Sequence, residues 1–191
     1  MSTFNIRRIL LFIILFWGVS GCRKEPRTPA PEQELITTLR ITFTDTTAPY
    51  TSYSFSFTDI DGEGGEPPVQ DSILLPKNRT YNATLLLLDE RDFPADTVTN
   101  EIIELGEEHQ FFFMSSPAEL LNSISYLDAD KNGFPIGNAF RCATSNTLTN
   151  GSFRITLRHE PAKNAAGVAS GDITNADGES DIEVEFPVRL Y

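Results

Sequence analysis

Four stretches of this chain alternate apolar and polar residues with a period of two. In "LRITFT", Leu39, Ile41 and Phe43 alternate with Arg40, Thr42 and Thr44. In "SYSFSF", Tyr53, Phe55 and Phe57 alternate with serines. "SFRITLRH" sets Phe153, Ile155 and Leu157 against Arg154, Thr156 and Arg158, and "DIEVEFPVRLY" sets Ile182, Val184, Phe186, Val188 and Leu190 against Glu183, Glu185, Pro187 and Arg189. Successive side chains of a strand point to opposite faces, so this period describes strands with one face buried and one wet, as antiparallel sheets allow.

Other segments add strands. "YNATLLLLDE" is apolar on both parities from Leu85 to Leu88, which predicts a central strand covered on both faces. "SILL" (Ser72 to Leu75), "HQFFFM", "SISYL" and "NAFRCAT" are short runs bounded by Gly, Pro, Asn and Asp. The sum is about nine strands, and the architecture that fits is an all-β antiparallel sandwich of immunoglobulin-like or Greek-key type. Pro187 cannot donate to a ladder, so the last strand is expected at an edge or to start at a bulge. Helix is confined to two short connectors. In "SPAE", Ser116 could cap, with Pro117 first in the helix and Glu119 returning the bond. The other is "DTVTNEIIEL" from Asp96 to Leu105.

The N-terminus predicts where the chain goes. Arg7 and Arg8 precede an apolar run of 11 residues, Ile9 to Val19, too short to span a bilayer but suited to a signal peptide. The run ends in "VSGC", which resembles the bacterial lipobox. That resemblance implies removal of residues 1–21 and a lipid on Cys22. Residues 22–34, Cys22 followed by "RKEPRTPAPEQE", are rich in Pro and charge and lack apolar periodicity, so they read as an extended tether. Residues 35–191 then form one domain, long enough for its own core. The expected setting is the cell envelope, by lipid anchorage and most simply at the outer membrane. Because Cys22 is expected to carry lipid, Cys142 has no disulfide partner. It shares parity with Phe140 and should be buried as a small hydrophobe.

Charge narrows the partners. Fifteen basic and 27 acidic residues give a net charge of −12, and losing Arg7 and Arg8 with the signal peptide takes it to −14. So acidic a chain repels nucleic acid, whose binding rests on Lys and Arg at phosphates. A cation, a basic partner or plain solubility suits it better.

The acidic loops are the first candidate sites. In "DADKNG", Asp128, Asp130 and Asn132 followed by Gly133 match the first half of an EF-hand loop. The twelfth position, which should carry a bidentate carboxylate, is Ala139, and a strand rather than a helix follows. An EF-hand is therefore excluded, while Ca²⁺ binding remains open if a second loop completes the shell. The other reading is a hairpin loop in which Asp, Asn and Gly supply turn chemistry. "DIDGEGGE" offers Asp59, Asp61, Glu63 and Glu66, and "GDITNADGESD" offers Asp172, Asn175, Asp177, Glu179 and Asp181. The stretch from Glu160 to Ser180 has no clear secondary structure, and connections that long in a compact domain are often functional.

His109 and His159 each sit beside acids, in "EEHQ" and "RHEP". With Glu107 and Glu160 they could supply the imidazole and carboxylate donors that transition metals favour. Both fall at predicted strand ends, where a surface histidine needs no further account. Nothing points to catalysis: no nucleophile elbow and no phosphate-cradling glycine loop is present.

The succession "ELITTLRITFT", "FTDIDGEGG", "EEHQFFF", "DADKNGFPIG" and "LRHEPAKNAAGVASGDITNADGESDIEVEF" resembles a group of small envelope lipoproteins of Bacteroidota without an assigned role. The resemblance runs from about residue 33 to the end and implies no catalytic residues. Some of that group carry the label of a type 1 periplasmic binding fold, which needs the βαβ alternation that this sequence lacks. "DTT", "DSI" and "DTV" resemble the Asp-(Ser/Thr)-apolar O-glycosylation pattern of the same bacteria, implying Thr46, Ser72 and Thr97 as exposed sites. The expected role is a non-catalytic, lipid-anchored binding or accessory module beside another envelope protein or an outer-membrane uptake receptor. The alternatives are a calcium- or transition-metal-binding lipoprotein and a structural envelope protein.

Overall fold

The alternating runs fold as ten strands among the residues described by the computed structural model, which are 34–62 and 64–191. The signal peptide, Cys22, the tether up to residue 33 and Glu63 lie outside the described residues. The strands are β1 (Thr38–Asp45), β2 (Ser52–Thr58), β3 (Val69–Gln70), β4 (Ile73–Leu75), β5 (Thr80–Leu88), β6 (His109–Ser116), β7 (Leu121–Tyr126), β8 (Ala139–Thr144), β9 (Asn150–His159) and β10 (Glu179–Leu190). One α-helix, α1 (Val98–Glu104), lies between β5 and β6.

A six-stranded sheet has the order β3-β2-β1-β5-β8-β7, and a four-stranded sheet the order β4-β10-β9-β6. All pairings are antiparallel except β4 with β10. The order β5-β8-β7 is that of immunoglobulin strands B, E and D, and β10-β9-β6 is that of G, F and C. The fold is an immunoglobulin-like sandwich whose larger sheet is extended past β5 by β1, β2 and β3.

The inward parity of each run forms the core. Leu39, Ile41, Phe43, Tyr81, Phe140, Phe153, Ile155, Leu157 and Phe186 are fully buried. Such side chains contribute about 1.5–3 kcal/mol each. Across the two sheets Phe113 of β6 meets Phe140 of β8 with ring centroids 4.0 Å apart, and Phe140 meets Phe153 of β9 at 6.2 Å. Cys142 is in this core, and burial pushes its thiol up to about 12, so it acts as a hydrophobe.

Several expectations need adjusting. β5 is central, between β1 and β8, but only Leu85 and Leu87 face the core; Leu86 and Leu88 are half-buried on the other face. "SPAE" forms a turn instead of a helix, with the Leu120 N–H bonded to the Pro117 carbonyl. The second helical connector is real. β8 pairs only with Thr80–Thr84 of β5, and beyond it the Thr99 hydroxyl of α1 binds the Leu87 N–H at 2.7 Å and satisfies the exposed edge. Pro187 is tolerated inside the sheet because β4 begins to pair only at Val188. A bulge does lie near the start of β10, between Ser180 and Ile182.

Candidate metal centre

Immunoglobulin topology gathers the B–C, D–E and F–G connections at one end of the sandwich. Here these are residues 89–108, 127–138 and 160–178. A single ammonium ties them together. Lys163, on the third connection, donates to the Gly106 carbonyl of the first, and to Asp130 Oδ2 and the Pro135 carbonyl of the second, each at 3.0 Å. All three of its N–H donors are used, and Lys163 is 5% exposed. Burial lowers its pKa, although Asp130 opposes the shift.

Beneath these loops lie His109, the first residue of β6, and His159, the last of β9. They are directly opposite in the β6–β9 ladder. Both continue the inward parity of their strands, His109 with Phe111 and Phe113, His159 with Leu157 and Ile155, so both point inward. Their exposures are 0% and 7%, which corrects the expectation of surface histidines. His109 Nδ1 lies 3.0 Å from the Leu105 carbonyl at the end of α1 and donates its hydrogen there, because a carbonyl only accepts. That tautomer leaves the Nε2 lone pair to accept the Nδ1–H of His159, 3.0 Å away, so a metal ion held by both nitrogens requires His159 to carry its hydrogen on Nε2 instead. Burial, first among the causes, depresses His109 to about 4, so the ring is neutral near pH 7.

The third member comes from the bulge. An unbroken β9–β10 ladder would place Asp181 opposite Arg158 on the solvent face. The extra residue puts Ser180 there instead, held by Arg158 at 2.8 Å, and Asp181 turns inward. Gly178 fits the chain into this corner at φ 69°; a Cβ there would stand 2.1 Å from the His159 carbonyl oxygen. Asp181 Oδ2 lies 3.8 Å from His109 Nε2 and 3.9 Å from His159 Nδ1, with its side chain fully buried. Neither carboxylate oxygen has a hydrogen-bond partner, nor has His159 Nε2. The Glu34 backbone amide approaches Asp181 without closing a bond of normal geometry. Desolvation raises the Asp181 carboxyl to about 6, against the lowering pull of His159.

The three donor atoms form a triangle with sides of 3.0, 3.8 and 3.9 Å. The nearest point equidistant from all three, in their plane, is about 2.1 Å from each, which is the bond length of Zn²⁺ to imidazole nitrogen and carboxylate oxygen. Among the described residues this is the one group of three His, Cys, Asp or Glu donors within 4.8 Å of one another. The His109–Leu105 bond is the outer-shell contact that fixes a ligating imidazole.

The acidic loops do not converge in this way. Asp128 accepts from the Gly137 and Ala139 N–H groups, at 2.7 and 2.9 Å. Asp130 binds Lys163 and the N–H groups of Asn132 and Phe134. Burial would raise the Asp130 carboxyl, but these partners hold it below its ordinary range. "DADKNG" is therefore a turn whose acids brace the D–E loop. Asp59 and Asp61 close their own loop through the N–H groups of Gly62 and Glu66. Asp172 caps a 3₁₀ turn through the Thr174 N–H. Asp177 is at φ 53°, and its carbonyl accepts from Arg158. Glu160 is exposed with its backbone at φ 50° and is not in the donor group, its place being taken by Asp181. Of the glycosylation positions Ser72 is exposed, but Thr46 and Thr97 are half-buried, and Thr46 donates to the Thr80 carbonyl at 3.1 Å.

Comparison with family models, with curated proteins and with solved structures finds no match to this chain.

Proposed function

We propose that this chain is a lipid-anchored envelope protein whose sandwich domain binds one transition-metal ion through His109, His159 and Asp181. The observation that carries the reading is the fully buried Asp181 carboxylate, which has no hydrogen-bond donor and faces two imidazole nitrogens at 3.8 and 3.9 Å. A buried carboxylate without a donor costs several kcal/mol of desolvation. A divalent cation offsets that cost, and imidazole nitrogens suit Zn²⁺, Cu²⁺ or Ni²⁺ better than the hard cations Ca²⁺ and Mg²⁺.

Binding is a better account than nucleophilic catalysis. The polar contacts of the two imidazoles are the Leu105 carbonyl, each other and Asp181, with no hydroxyl or thiol among them. The anchor rests on the sequence of residues 1–22 and would hold the domain beside the envelope system that supplies or receives the ion. Native mass spectrometry of the chelator-treated protein, titrated with Zn²⁺, tests the site. One equivalent bound by the wild type and lost in His109→Ala is the expected result, and failure of the wild type to bind overturns the reading. Membrane partitioning of Cys22→Ala tests the anchor: the variant should become soluble, and unchanged partitioning removes the lipid from the proposal.

A further inference from the structure

Two consecutive carbonyls before β6 carry different loads. The Leu105 carbonyl accepts from the Glu108 N–H at 2.9 Å and from His109 Nδ1 at 3.0 Å. The Gly106 carbonyl accepts from the His109 backbone N–H and from the Lys163 ammonium. The peptide segment that orients one imidazole is thus the segment that Lys163 grips. It lies tight against the D–E connection: a Cβ on Gly106 would stand 2.7 Å from Ile136 Cδ1 and 3.3 Å from Asp130 Cβ. The same turn reaches the second imidazole, because the Glu108 carbonyl accepts at 2.6 Å from the N–H of Glu160, next to His159.

Lys163 therefore stands between the metal ligands and a connection that supplies none of them. Its other donors go to Asp130 Oδ2 and the Pro135 carbonyl, and Asp130 in turn holds the N–H groups of Asn132 and Phe134. A ligating imidazole needs its second nitrogen anchored, and the anchor is only as firm as the backbone that bears it. We infer that Lys163 is a positioning residue of the metal centre. By holding the Leu105–Gly106 segment it aims the Leu105 carbonyl at His109 Nδ1, and so couples occupancy of the centre to the order of the D–E connection. This assignment rests on the proposed metal centre. Such coupling is reciprocal: if the staple orients His109, an ion that holds His109 tightens the staple. Zn²⁺ should then protect residues 127–138, although none of them is in the donor group.

The test uses the full chain purified in detergent, with Zn²⁺ as the probe. Amide exchange in wild-type peptides spanning residues 127–138 should slow when Zn²⁺ binds, above all at the Phe134 N–H that Asp130 holds. The double variant of Lys163→Met and Asp130→Asn removes the staple without changing net charge or leaving either charge buried alone. Its Zn²⁺ affinity, read by competition with a chelating dye, should fall about tenfold, the low end for outer-shell changes. Protection of residues 127–138 should vanish even at saturating Zn²⁺. Nitrogen-15 spectra of the rings give a signature that lost stability alone does not move, since the chain has two histidines. Without Zn²⁺, His109 should be fixed as the Nδ1–H tautomer in the wild type and averaged between tautomers in the double variant. Asp130→Asn alone, which leaves the ammonium on the Gly106 carbonyl, should keep the fixed tautomer. If the wild type binds Zn²⁺ but residues 127–138 gain no protection, or the double variant binds as tightly with His109 still fixed, this inference is overturned and the staple is structural only. If the double variant does not fold, the exchange measurement on the wild type decides. If the wild type does not bind Zn²⁺, the metal centre itself falls.

Discussion

Asp130 and Asp181 are both buried acids at the same end of the sandwich, and their surroundings are opposite. Asp130 has an ammonium and two backbone N–H donors, and its pKa lies below the ordinary range. Asp181 has no hydrogen-bond donor of normal geometry, the Glu34 amide only approaching it, and its carboxyl is pushed up to about 6. Asp130 is part of a matched set that fixes the loops. Asp181 is an unmatched charge that the fold bears at a cost, which is the ordinary signature of a site. The difference shows why counting acids misleads: the more ligand-like motif, "DADKNG", carries the structural acid, and a lone aspartate in a bulge carries the chemical one.

The contrast can be broken first at Lys163. Lys163→Ala should destabilise the domain by about 3–5 kcal/mol, because it leaves Asp130 buried and unpaired. Urea denaturation measures this, and a loss under about 1 kcal/mol would mean that the three loops do not depend on the staple. The double variant with Asp130→Asn should lose less than the single losses combined, since the partners share one interaction.

Asp181→Asn should act with the opposite sign. In chelator at pH 8 it should stabilise the domain by about 1–2 kcal/mol, because an amide replaces a charge without a donor. The sign follows from the raised carboxyl. Its favourable contribution is complete below the ordinary value of 3.8 and is lost as pH rises through about 6. The advantage of Asn should therefore vanish by pH 4. A variant less stable than wild type at pH 8 would show that Asp181 is satisfied after all.

Zn²⁺ affinity should fall with pH, since the ligand form of Asp181 is the carboxylate. Below about 6 the loss should approach tenfold per unit, because a proton must leave before the ion binds. Dye competition between pH 5 and pH 8 measures the slope, and a flat profile would remove Asp181 from the shell. The smallest effect is expected at the acids outside both sets. Asp59→Asn with Asp61→Asn, in an exposed loop, should change stability within about 0.5 kcal/mol and leave Zn²⁺ binding unchanged. A larger shift in Ca²⁺ than in chelator would revive the calcium reading of that loop.

The period-two runs made the sandwich legible, because parity follows directly from strand geometry. Register was not legible, and register brings His109 opposite His159. One signal was present: each histidine continues the inward parity of its strand, which argued for burial from the start. Asp181 could not be read in the same way. On parity it belongs with Glu183 and Glu185 on the solvent face, and only the bulge reverses it. Nor does the sequence show why Lys163 is buried, because its three acceptors come from connections far apart along the chain.

The bulge has a practical consequence. The fold needs β10 to pair with β9, and it would pair as readily without the extra residue. Deleting Asp181 should let the ladder close in regular register and leave the sandwich standing, with its two histidines still facing each other but no carboxylate between them. Capacity and architecture are therefore separable by a single codon. Related chains could gain or lose the centre without any change in overall shape, and the deletion is the natural blank against which every binding measurement on this protein can be set.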